Sequence, residues 1–469
     1  MHTSASALAL LTLASVAVAH QPWFPAPFCD QPGKRPSYCP DSSPSRRNNG
    51  SVHVSVVPED PIRHQCTVYA HGNNVSDVPN LMRAFEICDN GGHVVFPEDQ
   101  NYFIGEKLNP VLHDVSVEWR GWWTLKPDIE YWANNNSHYF IHFQNHVAAI
   151  VFSGDRFTIN GHGTGGIFGN GNVWYQAEKG NTKYGRPMAF VFWNASNVEV
   201  DDFKNIDPPF WSTNIMNGSN LRFTNLLNNA TAPGTPYGEN WVQNTDGFDT
   251  MNVDNVHLEN FTYQGGDDCN AIKDQSYNVY SKNITCIGGN GIAVGSLGQY
   301  LDDASVANYE VDDAKIYPYN GVVGNAAYIK TWVGVPVPQT FYESCCKPRG
   351  GGWGIVRDIF FHNFHLHGPQ RIGAINQNSG DDSNGTYAGT SNMLVSNVVY
   401  ANFSGYMNGG APNSDVMQIW CSERQPCYNI ALQNITATFG PDTTSLGHAT
   451  CKWSQAKGVN TGNLPSEDC

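Results

Sequence analysis

One short unit recurs along this chain and limits its fold more than any other feature. The unit is an Asn or Asp, an apolar residue, any residue, an apolar or aromatic residue, two polar or small residues, and a second apolar pair. Clear copies begin at Asn197, Asn220, Asn255, Asn278, Asn308, Asp358, Asn397 and Asn429, with weaker ones at Asp114 and Asp155. The clear anchors are 23, 35, 23, 30, 50, 39 and 32 residues apart. Apolar residues alternate with period two inside each unit, which is the strand signal, and Gly, Asn and Asp separate the units. A spacing of 23 residues is too short for a βαβ unit, which needs roughly 30 or more. Three short strands and three turns per coil fit it. Stacked coils pair each strand with its counterpart above and below, giving parallel sheets with equivalent residues about 4.8 Å apart. Longer gaps read as loops inserted at turns, usually on a binding face. The expected fold is therefore all-β, a parallel β-helix, with a propeller or sandwich as its rival. The anchoring Asn residues are expected to form an internal polar ladder at a turn, so they argue for fold and not for function. Val78 to Cys88 is the one stretch with helical periodicity.

The two ends of the expected organisation differ from this repeat. Residues 1–19 read as a signal peptide: Ala5 to Val18 is an apolar run, followed by the small-x-small pattern Ala17-Val18-Ala19. Twelve Cys and eleven N-x-Ser/Thr sequons fit a secreted, disulfide-bonded glycoprotein. No other segment has eighteen continuous apolar residues, so no membrane span is expected. Residues 20–62, rich in Pro and containing Cys29 and Cys39, read as an irregular N-terminal extension, and residues 63–469 as one elongated domain. The net charge of −16 repels nucleic acid and anionic membrane. It also repels an acidic polysaccharide, so such a substrate would need local cations. The expected state is a monomer.

Three segments in the middle of the stack are unlike scaffold: Asn244-Thr245-Asp246-Gly247-Phe248-Asp249, Gly265-Gly266-Asp267-Asp268-Cys269, and Gly288-Gly289-Asn290-Gly291 running on to Ser296. Asp246 and Asp267 are 21 residues apart, and Asp267 and Asn290 are 23 apart. Those are single-coil spacings, so the three segments should stack on one face. Like charges a few Å apart push one carboxyl pKa upward, so one Asp can stay protonated beside charged neighbours. Glycoside hydrolysis needs such a pair, an acid for the leaving oxygen and a base for water, roughly 6.5–9.5 Å apart in inverting enzymes. Asp267 and Asp268 are consecutive and would face opposite sides of a regular strand; Gly265-Gly266 permits the bend that brings both to one groove. A lone Asp-Asp pair would read as a calcium site or as solvated turn carboxylates. Asp246 one coil earlier turns the reading towards catalysis.

These residues resemble the polygalacturonase family of glycoside hydrolases, family twenty-eight, from about residue 65 to the end of the chain. The motifs that carry the resemblance are Asn244-Thr245-Asp246, Gly266-Asp267-Asp268, Gly289-Asn290-Gly291 and Tyr328-Ile329-Lys330. It implies a right-handed parallel β-helix and single-displacement hydrolysis of pectic polysaccharide, with no cofactor and no metal. By motif, Asp267 resembles the general acid, Asp246 and Asp268 the pair that activates water, and Lys330 the binder of a substrate carboxylate. Asn244, Asn290 and Tyr328 fall at further substrate-binding positions. Cys269–Cys286 and Cys421–Cys427 sit where the family commonly has disulfides, and Cys66–Cys88 and Cys451–Cys469 look like further pairs. Gly295-Ser296-Leu297-Gly298-Gln299-Tyr300 is similar to the exo-acting branch.

The chain departs from the family pattern twice. The family's Gly-His-Gly is Gly289-Asn290-Gly291, and Asn hydrogen-bonds but does not titrate. The family's Arg-Ile-Lys is Tyr328-Ile329-Lys330, so a bidentate guanidinium is missing. These changes point to a mixed rhamnose–galacturonate backbone or to release of a neutral sugar. The insertion from Val333 to Gly354 is placed to wall off one end of a groove, which favours exo attack; a surface loop is the plainer alternative. Trp211, Trp241, Tyr300 and Tyr328 are candidates for stacking on sugar rings, with core packing as the alternative. His365 and His367 share a strand face and are expected to face solvent without a metal. Three functions follow: an exo-acting hydrolase releasing galacturonic acid, an α-L-rhamnosidase on rhamnogalacturonan fragments, and a catalytically dead wall-binding protein.

Overall fold

A computed structural model of the chain describes residues 50–57, 60–339, 347–381, 385–408 and 415–469. The expected signal segment and Cys29, Cys39, Cys345 and Cys346 lie outside them.

The repeat unit folds as the period-two pattern requires. The residue after each anchor points inward and stacks on its counterpart: Val198, Leu221, Val256, Val279, Tyr309, Ile359, Val398 and Ile430 are in register, coil upon coil, and buried. Each such side chain is worth about 1.5–3 kcal/mol in burial. Among the described residues every strand pairing is parallel except two: Val52–Val57 with Asp60–Val68, and Tyr139–Ile141 with His146–Ala148. The chain is thus a parallel β-helix, right-handed as parallel crossovers almost always are.

The anchors turn the corners. All eight have left-handed backbone, with φ between 53° and 61°. Asn tolerates that conformation better than most residues because its short polar side chain bonds locally. Their side chains form a ladder: Asn220 Nδ2 donates to Asn197 Oδ1 at 3.1 Å, Asn255 to Asn220 at 2.9 Å, and Asn429 to Asn397 at 2.7 Å. The ladder is not internal, contrary to the expectation from sequence. Asn197, Asn220, Asn308 and Asn429 are exposed, because the inward-facing residue that follows sends the corner side chain outward. A second ladder runs five residues later, through Asn225, Asn260 and Asn283 and through Asn363, Asn402 and Asn434, at 2.8–3.0 Å per rung. Four sequon asparagines, Asn260, Asn283, Asn402 and Asn434, are therefore corner residues.

The ends of the stack are closed separately. The helix Val78–Ile87 buries Val78, Leu81, Ala84 and Phe85, and the disulfide Cys66–Cys88 ties its end to the first coil. Cys269–Cys286, Cys421–Cys427 and Cys451–Cys469 also form. The N-terminal extension is not wholly irregular: Val52–Val57 is a strand antiparallel to Asp60–Val68. Its alternating Val52, Val54 and Val56 carry the β-branched pattern that suits a strand.

Asn220 donates to Asn197 and accepts from Asn255 at a left-handed φ of 57°. Asn220→Gly keeps the backbone and loses only the rungs, whereas Asn220→Val loses both. Urea unfolding should show Asn220→Val costing about 2 kcal/mol and Asn220→Gly about half that. Equal losses would assign no cost to the backbone.

Candidate active site

Two chain segments deliver three carboxylates to one pocket, and a third adds the Asn290 amide, because each sits at the same turn of successive coils. Gly247 N donates to Asp268 O at 2.8 Å, and Asn290 N donates to Asp267 O at 3.0 Å. The turn Gly265-Gly266-Asp267 bends as its glycines allow. A Cβ on Gly266 would lie 2.2 Å from Asn240 Oδ1, and one on Gly289, at φ +67°, 1.8 Å from Asp267 O. Tyr263 clamps the bend, its hydroxyl accepting from Asp267 N and donating to Asp267 O, each at 3.0 Å. Asp246, Asp267 and Asp268 each place an oxygen within 4.8 Å of the other two.

Each carboxylate has its own environment. The Asp267 Oδ2 accepts from Asn244 N at 3.2 Å and Asn244 Nδ2 at 3.0 Å; its Oδ1 accepts from Asn290 Nδ2 and Asp268 N, both at 3.0 Å. Burial, and then the charge of Asp268, raise its pKa to about 6, against the pull of Lys330 and Lys273. Asp268 accepts from the Tyr328 hydroxyl on one oxygen and from Lys330 Nζ, at 2.8 Å, on the other. Asp246 is 3% exposed, and burial followed by the charges of Asp267 and Asp249 pushes its pKa well up, opposed by Lys273.

The structure brings Asn244, Asp246, Asp267, Asp268, Asn290, Tyr328 and Lys330 together. Asn244, Asp246, Asp267, Asp268 and Lys330 line a pocket of about 270 Å³, just below the range for ligand sites, roughly 300–1,000 Å³. Asn290 holds Asp267 in place. Tyr328 is buried against Ala271, Ala293 and Ala374, whose small side chains leave room for its ring to reach Asp268. Of the candidate stacking aromatics, Trp211 lines the pocket, the Tyr300 hydroxyl accepts from Gln144 N at 2.8 Å, and Trp241 lies outside, against Lys179. His365 is exposed and His367 stacks on Tyr317 at 4.4 Å. The insertion reaches the site, since Gln339 and Arg349 line the pocket.

Sequence reasoning missed Lys273. Its Nζ is 3.0 Å from Asp249 Oδ1, 3.8 Å from Asp246 Oδ2 and 4.2 Å from the centre of the Trp211 ring. Five residues separate it from Asp268, which in a regular strand would put the two on opposite faces. A register shift between Asp268 and Asn270 changes that parity. With Lys330, it gives the carboxylate cluster two fixed ammonium groups.

Lys273 offsets buried carboxyl charge. Burial raises the Asp249 pKa to about 7, so the Lys273–Asp249 pair is fully charged only above that pH and below the titration of Lys273, itself raised by its acidic neighbours against burial. Lys273→Met should therefore cost about 3 kcal/mol at pH 8, and the loss should shrink as pH falls through 7 and Asp249 takes up a proton. A pH series of chemical unfolding checks it; a loss independent of pH would detach Lys273 from Asp249.

The comparisons with known proteins agree with this geometry. Residues 95–456 match the model of glycosyl hydrolases family 28. A protein of Aspergillus niger named "Putative galacturan 1,4-alpha-galacturonidase C" is 55% identical over 395 residues, covering 84% of this chain and 92% of the relative. The "Exopolygalacturonase" of Cochliobolus carbonum is 30% identical, covering 81% and 82%. Among solved structures, the endo-xylogalacturonan hydrolase of Aspergillus tubingensis shares the fold at a TM-score of 0.71 and 24% identity, covering 86% of this chain and 99% of that one. The exopolygalacturonase of Thermotoga maritima shares it at 0.57 and 17%, covering 84% and 87%. A right-handed parallel β-helix whose stacked turns present Asp246, Asp267 and Asp268 is thus a glycoside hydrolase, and the chain belongs to glycosyl hydrolases family 28.

Proposed function

We propose that this protein is a secreted, monomeric, exo-acting hydrolase that removes terminal galacturonic acid from pectic polysaccharide with inversion. The observation that carries the exo reading is a small pocket closed on one side. Gln299 is the hub of that wall: its Oε1 accepts from Gln144 Nε2 at 2.7 Å, its backbone O accepts from Gly350 N at 2.8 Å, and its Nε2 donates to Ser296 O at 3.2 Å. Three segments far apart in sequence meet there, so a long chain has no through-passage on that side. The names of the relatives, galacturan 1,4-alpha-galacturonidase and exopolygalacturonase, favour galacturonate over rhamnose as the sugar released.

In the proposed chemistry, Asp267 protonates the leaving glycosidic oxygen. It is the most exposed of the three carboxyls, and its pKa of about 6 keeps much of it protonated in mild acid. Asp246 and Asp268 hold and deprotonate the water. The close approach within 4.8 Å is shorter than the roughly 6.5–9.5 Å spacing of two-carboxylate inverting enzymes, because stacked turns set it. Burial supports inversion nonetheless: Asp246 and Asp268 are 3% and 1% exposed, which suits contact with a water better than covalent attack on an anomeric carbon. Lys330 stabilises charge on Asp268, and Asn244 and Asn290 fix the orientation of Asp267.

Incubation with oligogalacturonides, rhamnogalacturonan oligomers and an aryl α-L-rhamnoside should release galacturonic acid alone, one residue at a time, and proton NMR of fresh product should show the inverted anomer. Released rhamnose, or internal cuts, would displace this reading. The pH profile gives a second check. The acid must be protonated, so kcat/KM should fall as pH rises through about 6, an apparent value belonging to the cluster. Because the Lys330 charge lowers the Asp267 pKa, Lys330→Met should move that limb to higher pH while reducing kcat. A limb that stays in place would separate Lys330 from the acid.

A further inference from the structure

In a 1,4-linked uronate chain the O4 of every internal unit carries the next sugar, and only the non-reducing end unit keeps an O4 hydroxyl. The closed wall of the pocket is the side on which that group must lie, because a continuing chain would have to leave there. Gln144 stands in this wall and lines the pocket. It sits in the turn between the strands Tyr139–Ile141 and His146–Ala148. Its backbone is left-handed, with φ 51° and ψ 23°, and Asn145 follows at φ 54°. Asn tolerates that conformation through its short polar side chain, whereas Gln adopts it rarely. Such an outlier persists only where its surroundings hold it, and it collects at functional sites. Here Phe143 and His146 on either side are buried against Trp211, with ring centres 6.2 and 4.3 Å away. Gln144 N also donates to the Tyr300 hydroxyl at 2.8 Å.

The same wall orients the amide. Gln299 Nε2 donates to Ser296 O at 3.2 Å, so Gln299 Oε1 is the acceptor that faces Gln144, and Gln144 Nε2 donates to it at 2.7 Å. Gln144 Oε1 is the other end of that amide, and among the described residues no donor is bonded to it. Resting on the proposed release of galacturonic acid from the chain end, we infer that Gln144 is the specificity-determining residue that accepts a hydrogen bond from the O4 hydroxyl of the terminal uronate. An internal unit offers an ether oxygen at O4, which has no proton to donate, and it drives the next sugar into the wall. One amide, held by a strained turn, thus favours the end of a chain and refuses its interior, combining an attractive contact for the right substrate with a clash against the wrong one.

The test compares wild type, Gln144→Gly and Gln144→Asn on trigalacturonate and on the same oligomer lacking the C4 hydroxyl of its non-reducing unit. Glycine suits the left-handed backbone and keeps the N–H that Tyr300 accepts, so its effect reports the side chain. Gln144→Gly should lower kcat/KM on trigalacturonate about 10-fold, as expected for loss of one neutral hydrogen bond in a closed pocket. On the 4-deoxy oligomer the same substitution should change kcat/KM less than about threefold, because the partner group is gone. Asn, equally at ease with left-handed backbone, carries an amide one methylene short of the wall. Gln144→Asn should show the same substrate-dependent loss, and it decides the matter should the glycine variant not fold. Equal losses on both oligomers would make Gln144 a support of the wall and overturn the inference. So would an unchanged kcat/KM on trigalacturonate, or wild-type protein that processes both oligomers equally well. Wild-type protein that releases no galacturonate from trigalacturonate would instead overturn the underlying reading of function, a result distinct from all of these.

Discussion

Parallel hydrogen bonding between successive coils is the constraint from which the site follows. It places equivalent turns about 4.8 Å apart, and a carboxylate on each of two neighbouring turns must then meet. The backbone bonds Gly247 N to Asp268 O and Asn290 N to Asp267 O fix that meeting regardless of its electrostatic cost. The remaining features of the site answer that cost. Lys273 and Lys330 supply opposite charge, Asn244 and Asn290 donate to Asp267, the Tyr328 hydroxyl donates to Asp268, and burial with the neighbouring carboxylates raises the Asp246 pKa. Stability of the scaffold and strain in the cluster thus come from one geometric rule.

The same rule explains what the sequence disclosed. A period of one coil projects directly onto space, so spacings of 21 and 23 residues sufficed to bring Asp246, Asp267 and Asn290 together. The residues one and three places after each anchor, all apolar but Ser281, had to face inward, and they do. The second corner ladder was equally legible and was overlooked: an Asn or Asp stands five residues after every clear anchor. Treating those positions only as polar or as sequons hid their left-handed backbone.

What the sequence concealed depends on departures from the repeat. Lys273 reaches Asp246 because one residue is inserted in register after Asp268, and no local pattern announces a bulge that a neighbouring coil dictates. Arg349 enters from an insertion whose path follows from tertiary contacts with Gln299, not from period two. The outward position of the Asn ladder was a question of parity. A turn residue can face either way, and only the pairing of its neighbours decides.

The two departures from the family motifs are best understood as one rearrangement. At the first position of Arg-Ile-Lys, a guanidinium would compete with Lys330 for Asp268 and would need space. Tyr328 instead lies in a hollow left by Ala271, Ala293 and Ala374, and its hydroxyl is the middle of a short relay, accepting from Lys330 Nζ at 3.0 Å and donating to Asp268. A neutral donor there draws Asp268 towards Lys330 without adding charge next to Asp267. Asn290, likewise neutral, orients Asp267 without titrating beside it. Both changes replace a cationic or titratable group with a fixed hydrogen-bond donor, so the proton affinity of Asp267 is set by its burial, by Asp268 and by the two lysines.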